Sequence, residues 1–162
     1  MTLPELPLEE AIGKALTRLG LTVSVAESCT GGLIAARLTD VPGSSDVFLG
    51  AVVAYANGVK AAQLGVPENV LDGHGAVSAE VAAAMADGAR ERLGADVAVA
   101  VTGVAGPDGG TDEKPVGLVF LHASGPMGSR ALRLDLPGDR ETIRTRATVA
   151  ALHLVRQLVT ET

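Results

Sequence analysis

Apolar positions along the chain fall into two alternating rhythms. Leu8, Ala11, Ile12, Ala15, Leu16 and Leu19 recur at helical spacing, and Gly20 is placed to end that helix. Leu21 to Ala26 is a short apolar run that reads as a buried strand, and Gly31 to Thr39 returns to the helical period with Leu33, Ile34 and Leu38 inward. Pro42 to Asp46 is a turn cluster before a second apolar strand, Val47 to Tyr55. Lys60 to Leu64 starts a short helix that Gly65-Val66-Pro67 interrupts, and Pro67 to Leu71 forms a further helical turn before Asp72-Gly73-His74-Gly75.

Ser78 opens a well-marked helix through Ala82, Met85, Ala89 and Leu93, closed by Gly94; Val81 stands three residues on, so there is no capping box. Ala95 to Val101 is a third strand, followed by the glycine-rich loop Thr102 to Thr111 and then Lys114-Pro115. Val116 to Ala123 and Arg130 to Leu136, joined across Gly125 to Gly128, predict an antiparallel hairpin at one edge of the sheet. The second of these strands alternates as if one face were wet. Asp139 is placed as N-cap of the last helix, whose inward stripe is Ile143, Ala147, Ala150, Leu154 and Leu158. Helices alternating with apolar strands predict an α/β chain: a layered αβα sandwich around a mostly parallel sheet, in a single domain over 1–162.

Composition narrows this picture. The chain is 47% hydrophobic yet has no Trp, one Tyr and two Phe, so its core is expected to be built from Ala, Val and Leu. A net charge of −6 argues against nucleic-acid and anionic-membrane partners, both of which favour basic patches. One cysteine excludes an intrachain disulfide and a thiolate metal cluster. Met1 to Glu10 lacks the basic and apolar regions of a signal peptide, and Val47 to Ala56 is too short to span a bilayer. A cytoplasmic protein is expected, with a symmetric homodimer as the prior for an oligomer.

Candidate chemistry gathers in three loops that end strands: Glu27 to Gly32, Tyr55 to Lys60, and Thr102 to Thr111. If these strands run parallel, the loops share one rim, where open α/β sheets bind ligands. Ser28 sits where a strand hands over to a helix whose first N–H groups lack internal partners, so it reads as a helix cap or as a nucleophile beside an oxyanion site. A serine nucleophile needs a base. His122 falls mid-strand and His153 on the last helix, so neither is well placed; His74 lies in a glycine-rich turn and is not forced into the role. Lys60 is the other candidate, provided burial or neighbouring charge lowers its pKa, with Tyr55 to relay or orient the proton. Cys29 is the rival nucleophile, but adjacent strand residues face opposite ways, and burial of the cysteine favours Ser28.

The glycines of the third loop are spaced Gly103-x-x-Gly106-x-x-Gly109-Gly110, which is not a dinucleotide fingerprint; no P-loop, Gly-x-Ser-x-Gly or His-Glu-x-x-His run occurs. The loop's N–H groups, with Thr111 and Lys114, are suited to a phosphate or ribose unless the loop is only a surface turn. Arg140, just inside the last helix, is placed to grip a phosphate; Arg146 reads as solvated and Arg144 fits either role. The acidic Asp108, Asp112 and Glu113 read as solvated rather than metal-binding, and no metal or cofactor is expected.

Several runs together resemble the CinA C-terminal domain family. They are Ala26-Glu27-Ser28-Cys29-Thr30-Gly31-Gly32, Tyr55-Ala56-Asn57 with Lys60, and His74-Gly75-Ala76-Val77-Ser78. Thr102 to Gly110 with Lys114-Pro115-Val116-Gly117, and Gly138-Asp139-Arg140, complete the match, which covers essentially the whole chain in order. The family includes stand-alone nicotinamide-nucleotide amidases and domains fused to a larger module; the chain has no room for that module, so the stand-alone form is implied. The resemblance implies hydrolysis of nicotinamide mononucleotide to nicotinic acid mononucleotide and ammonia, with Ser28 as nucleophile assisted by Lys60 and Tyr55. The expected substrate-binding set is then Cys29, Thr30, Gly31, Gly32, Asn57, Thr102, Gly103, Gly106, Gly109, Gly110, Thr111 and Arg140. Within it, N–H groups around Thr30 to Gly32 hold the oxyanion, while Arg140 and the loop hold the phosphate. A non-catalytic nucleotide-binding module and an amidase for another small amide are the competing readings.

Overall fold

The alternation of Val and Ala on the central strands decides how the layers stack. The computed structural model describes residues 5–161, so the expectations that touch Met1 to Pro4 and Thr162 lie outside the described residues. Five strands, β1 (Val23–Glu27), β2 (Phe48–Val53), β3 (Val97–Gly103), β4 (Leu118–Gly125) and β5 (Gly128–Asp135), form one sheet in the order β2-β1-β3-β4-β5. β1 runs parallel to both β2 and β3, whereas β3–β4 and β4–β5 are antiparallel, so the hairpin lies at one edge.

On β1 and β3 the valines Val23, Val25, Val97, Val99 and Val101 point into one core with α1 (Leu8–Leu19), α2 (Leu33–Thr39) and α6 (Arg140–Thr160). Ala26, Ala98 and Ala100 face the other core, with α3 (Asn57–Leu64), α4 (Glu68–His74) and α5 (Ala79–Leu93). Small side chains let α5 lie close to the sheet and to its neighbours. At Gly88 a Cβ would stand 1.9 Å from the Leu64 carbonyl oxygen, so only glycine permits α5 to seat the end of α3. That contact fixes the helix that carries Lys60.

Caps follow the chain's own signals. Ser78 accepts a hydrogen bond from the Val81 N–H at 3.2 Å, and Asp139 accepts one from the Thr142 N–H at 2.9 Å. Strands β2 to β5 shift by one or two residues from their expected ends, and four boundaries near the site differ as well. β1 extends to Glu27, whose carboxylate is satisfied within the fold. α2 begins only at Leu33, because Gly31 and Gly32 take φ of 59° and 109° and cannot join a right-handed helix. α3 begins at Asn57 rather than Lys60, and α4 continues through Asp72-Gly73 to His74. Among the described residues no helix is long and apolar enough to cross a membrane.

Because β1, β2 and β3 are parallel and in register, with Glu27 opposite Val53 and Val101, their carboxyl ends open on one rim. The three polar loops meet there.

Candidate active site

Ser28 leaves the end of β1 with its N–H donated to the Val101 carbonyl at 3.0 Å, which directs its side chain toward the α3 side of the sheet. Lys60 and Leu64, one turn apart on α3, form that helix's buried face. The Lys60 side chain, only 1% exposed, brings Nζ to 3.1 Å from Ser28 Oγ and 3.0 Å from the backbone carbonyl oxygen of Tyr55. No carboxylate of the described residues forms an ion pair with it. Burial therefore pushes the Lys60 pKa below its ordinary value, and only a charged Cys29 would oppose this. Burial also drives the Cys29 thiol up to about 11, so at neutral pH that thiolate is absent. A neutral amine that donates one N–H to the Tyr55 carbonyl keeps a lone pair for the serine hydroxyl, the arrangement a general base requires.

A cavity of about 270 Å³ lies over this pair. Ser28, Cys29, Tyr55, Asn57, Lys60, Thr102, Gly103, Gly106, Gly109 and Arg140 all line it, with Ala76, Val77 and Asp108. A larger cavity of about 620 Å³ sits between α1 and the segment joining α2 to β2; its interior is Ile12, Leu16, Leu38 and Val47, and it brings no nucleophile to a base. The smaller, polar site sets a candidate nucleophile beside a candidate base.

Thr30, Gly31, Gly32, Gly110 and Thr111 do not line the cavity with Ser28. Gly110 and Thr111 turn to a separate surface hollow with Pro107, Asp112 and Pro115, since Thr111 is tied to Lys114 by two hydrogen bonds. The helix N-terminus is not the free donor set that was expected. The buried Glu27 carboxylate accepts from the Ile34 and Ala35 N–H groups at 3.0 and 3.1 Å and from the Thr30 hydroxyl at 2.6 Å, and the Gly31 N–H is donated to the Ser28 carbonyl at 3.1 Å. That leaves the N–H groups of Cys29, Thr30 and Gly32 with no acceptor among the described residues. With Glu27 as the anion at the start of α2, Ser28 is not needed as a cap.

Residue order assigns Glu27 no role. Its signal was an acidic residue closing an otherwise apolar strand just before a helix. Glu27→Ala strips three donors of their acceptor in a sealed site and is expected to cost about 3 kcal/mol, read as a lowered urea midpoint with unchanged slope.

Tyr55 does not stand between Ser28 and Lys60. Its carbonyl holds Lys60, while its exposed phenol accepts from Arg140 Nη2 at 2.9 Å; of the direct and Tyr55-relayed routes for the proton, the contact of amine and serine matches the direct one. Arg140 also donates through Nη1 to the Gly106 carbonyl at 2.7 Å, tying Tyr55 to the glycine-rich loop across the cavity mouth. The loop is pinned rather than loose. Gly106 has φ of 76° with a Cβ position 2.5 Å from Val116 Cγ1, and the N–H groups of Gly106, Asp108 and Gly109 have no acceptor among the described residues. Thr102 spends its hydroxyl on the Ala76 carbonyl at 2.8 Å, which fixes the 76–77 segment as a cavity wall that sequence reasoning had left unassigned.

His74 lies outside the cavity, exposed beside Glu80 at 3.6 Å, with its carbonyl taking the Lys114 ammonium. His122 is half-buried on β4 and pushed toward the neutral form by burial, and His153 is exposed on α6. Arg146 is exposed, and Arg144 turns inward to the backbone of the Ser28 loop. Among the described residues no group of three His, Cys, Asp or Glu side chains is arranged to hold a metal ion.

Comparison with known proteins gives a consistent neighbourhood. The family described as the CinA C-terminal domain matches residues 5–159. A putative competence-damage inducible protein of Symbiobacterium thermophilum is 55% identical over 159 residues, covering 93% of this chain and 37% of its own length. A CinA-like protein of Mycolicibacterium paratuberculosis is 56% identical over 147 residues, covering 88% and 34%. The chain thus spans little more than a third of the curated relatives it matches. Among solved structures, the competence/damage inducible protein CihA from Agrobacterium tumefaciens superimposes with a TM-score of 0.90 at 44% identity, over 98% of this chain and 99% of that one. A CinA superfamily protein from Escherichia coli gives 0.87 at 33% identity, over 98% and 94%.

Proposed function

The chain belongs to the CinA C-terminal domain family, and from that premise we propose that it is an amidase that converts nicotinamide mononucleotide to nicotinic acid mononucleotide and ammonia. The observation that carries the reading is the 3.1 Å contact between Lys60 Nζ and Ser28 Oγ in a buried site without a carboxylate partner. Neutral Lys60 takes the hydroxyl proton as Ser28 Oγ attacks the carboxamide carbon. The oxyanion is received by the unpaired N–H group of Cys29, which lines the cavity beside Ser28. The Lys60 ammonium then protonates the departing nitrogen, ammonia leaves, and water attacks the ester with Lys60 again as base. One amide and one water become one acid and one ammonia.

At the mouth, the Arg140 guanidinium and the unpaired N–H groups of Gly106, Asp108 and Gly109 are suited to the ribose phosphate. Arg140→Ala removes both that charge and the tie between Tyr55 and Gly106. It is expected to raise KM for the mononucleotide about tenfold or more, with a much smaller effect on any unphosphorylated amide that is turned over.

The test of the reading is ammonia release by the purified chain over a panel of nicotinamide, nicotinamide mononucleotide and simple amides. Preferential turnover of the mononucleotide is expected. Preference for another amide moves the substrate, and tight nucleotide binding without ammonia leaves a non-catalytic module.

A further inference from the structure

Arg144 has no carboxylate within ion-pair distance among the described residues. It spends its charge instead on the backbone of the Ser28 loop: Nε donates to the Cys29 carbonyl at 3.0 Å and Nη2 to the Thr30 carbonyl at 3.3 Å. Gly31 makes the approach possible, since a Cβ there would sit 3.1 Å from Nη2 and its φ of 59° suits glycine.

The peptide unit is planar and trans, so fixing a carbonyl fixes the N–H on the opposite side of the same unit. The Cys29 carbonyl shares its unit with the Thr30 N–H, so Arg144 Nε sets the direction of that donor. The Thr30 carbonyl shares its unit with the Gly31 N–H, which donates to the Ser28 carbonyl at 3.1 Å, and that carbonyl shares its unit with the Cys29 N–H. A chain of hydrogen-bonded peptide units therefore runs from the guanidinium, which shares the Thr30 carbonyl with the Leu33 N–H at 3.1 Å, to the unpaired Cys29 N–H that follows the serine, while Nε holds the adjoining Cys29 carbonyl. Each bond in such a chain polarises the next, strengthening the terminal donor as well as aiming it.

We propose that Arg144 is a positioning residue that orients and polarises the Cys29 N–H group to receive the oxyanion. The proposal rests on the reading of Ser28 as an amidase nucleophile. It assigns Arg144 an effect on the rate of attack, separate from Arg140, whose effect falls on substrate binding.

The experiment compares wild type, Arg144→Ala and Arg144→Lys in ammonia release from nicotinamide mononucleotide, alongside melting temperature and the rate at which a fluorophosphonate labels Ser28. In Arg144→Ala, kcat is expected to fall about 30-fold with KM within about threefold, since a single oxyanion donor commonly carries a hundredfold. Added guanidinium ion should restore part of the rate, a recovery that lost packing alone would not show. Arg144→Lys keeps the stem but offers a point charge instead of a fork, and should fall between the two even if the alanine variant folds poorly. A kcat within twofold of wild type in both variants overturns the proposal, as does a loss that appears only in KM. Labelling separates the two readings. If wild type releases no ammonia yet Ser28 is labelled, the substrate reading fails, and slower labelling in the Arg144 variants still supports the positioning role while an unchanged rate refutes it.

Discussion

Ser28→Ala is expected to lower ammonia release from nicotinamide mononucleotide by about a thousandfold or more, while Cys29→Ala stays within about threefold of wild type. The two residues are neighbours, and the sheet separates them. Ser28 faces Lys60, whereas Cys29 is 3% exposed, packs into the core shared with α2 and α6, and has its thiol pushed up to about 11. A thiol in that state is almost wholly protonated near pH 7, so it lacks the thiolate that would make it the better nucleophile. Its backbone matters more than its sulfur, because the Cys29 N–H survives substitution by alanine and remains available to the oxyanion. Retention of activity in Ser28→Ala with loss in Cys29→Ala would move the nucleophile one residue along the chain.

Lys60→Met is expected to lower kcat by about a thousandfold, the usual range for removing a general base, while leaving the protein at least as stable at neutral pH. Methionine fills much the same space without charge. In the wild type, burial lowers the Lys60 pKa, which means that the folded chain binds this proton less readily than the unfolded chain does. Between the lowered value and the ordinary 10.5, stability accordingly rises with pH, and at lower pH the buried ammonium is a cost that methionine removes. Activity is expected to follow the same ionisation. Only the neutral amine accepts the serine proton, so the wild-type rate should climb with pH along a limb centred below 10.5 and level off above it. Residual activity in Lys60→Met should lack that limb. Lys60→Arg should not restore the rate, since a guanidinium stays protonated and cannot act as base. Measuring urea midpoints with the pH–rate profiles distinguishes loss of the base from loss of the fold.

Much of this arrangement was legible from residue order. The Val and Ala alternation of Val97 to Val101, the cap signals at Ser78 and Asp139, and the three polar loops ending apolar runs were enough for the layered sheet and its functional rim. The pairing of Ser28 with Lys60 came partly by elimination, as His122 and His153 fell in unsuitable places and nothing forced His74 into the role. What escaped was whatever depends on which atom of a residue is used. Tyr55 contributes its carbonyl to Lys60 and its phenol to Arg140, and no sequence pattern distinguishes those uses. Glu27 closes β1 with a carboxylate whose three donors are not visible in residue order, and once it capped α2 the expected oxyanion donors shifted from the Thr30 to Gly32 segment to the Cys29 N–H. Gly110 and Thr111 belong to the same loop as Gly106, but the bond of Arg140 to Gly106 and the Thr111–Lys114 pair send the two halves to different surfaces. The inward turn of Arg144 could be resolved only once α6 was laid beside the Ser28 loop.

The central claim is that amide cleavage passes through an ester on Ser28, and hydroxylamine partitioning tests it most directly. Ammonia and product are measured during turnover of nicotinamide mononucleotide with increasing hydroxylamine, with Ser28→Ala as control. If an acyl-enzyme forms, hydroxylamine competes with water for the ester, so the hydroxamate of nicotinic acid mononucleotide should accumulate at the expense of the acid while ammonia release is undiminished. Ammonia release with the free acid as sole product at every hydroxylamine concentration, or equal hydroxamate from Ser28→Ala, would contradict it.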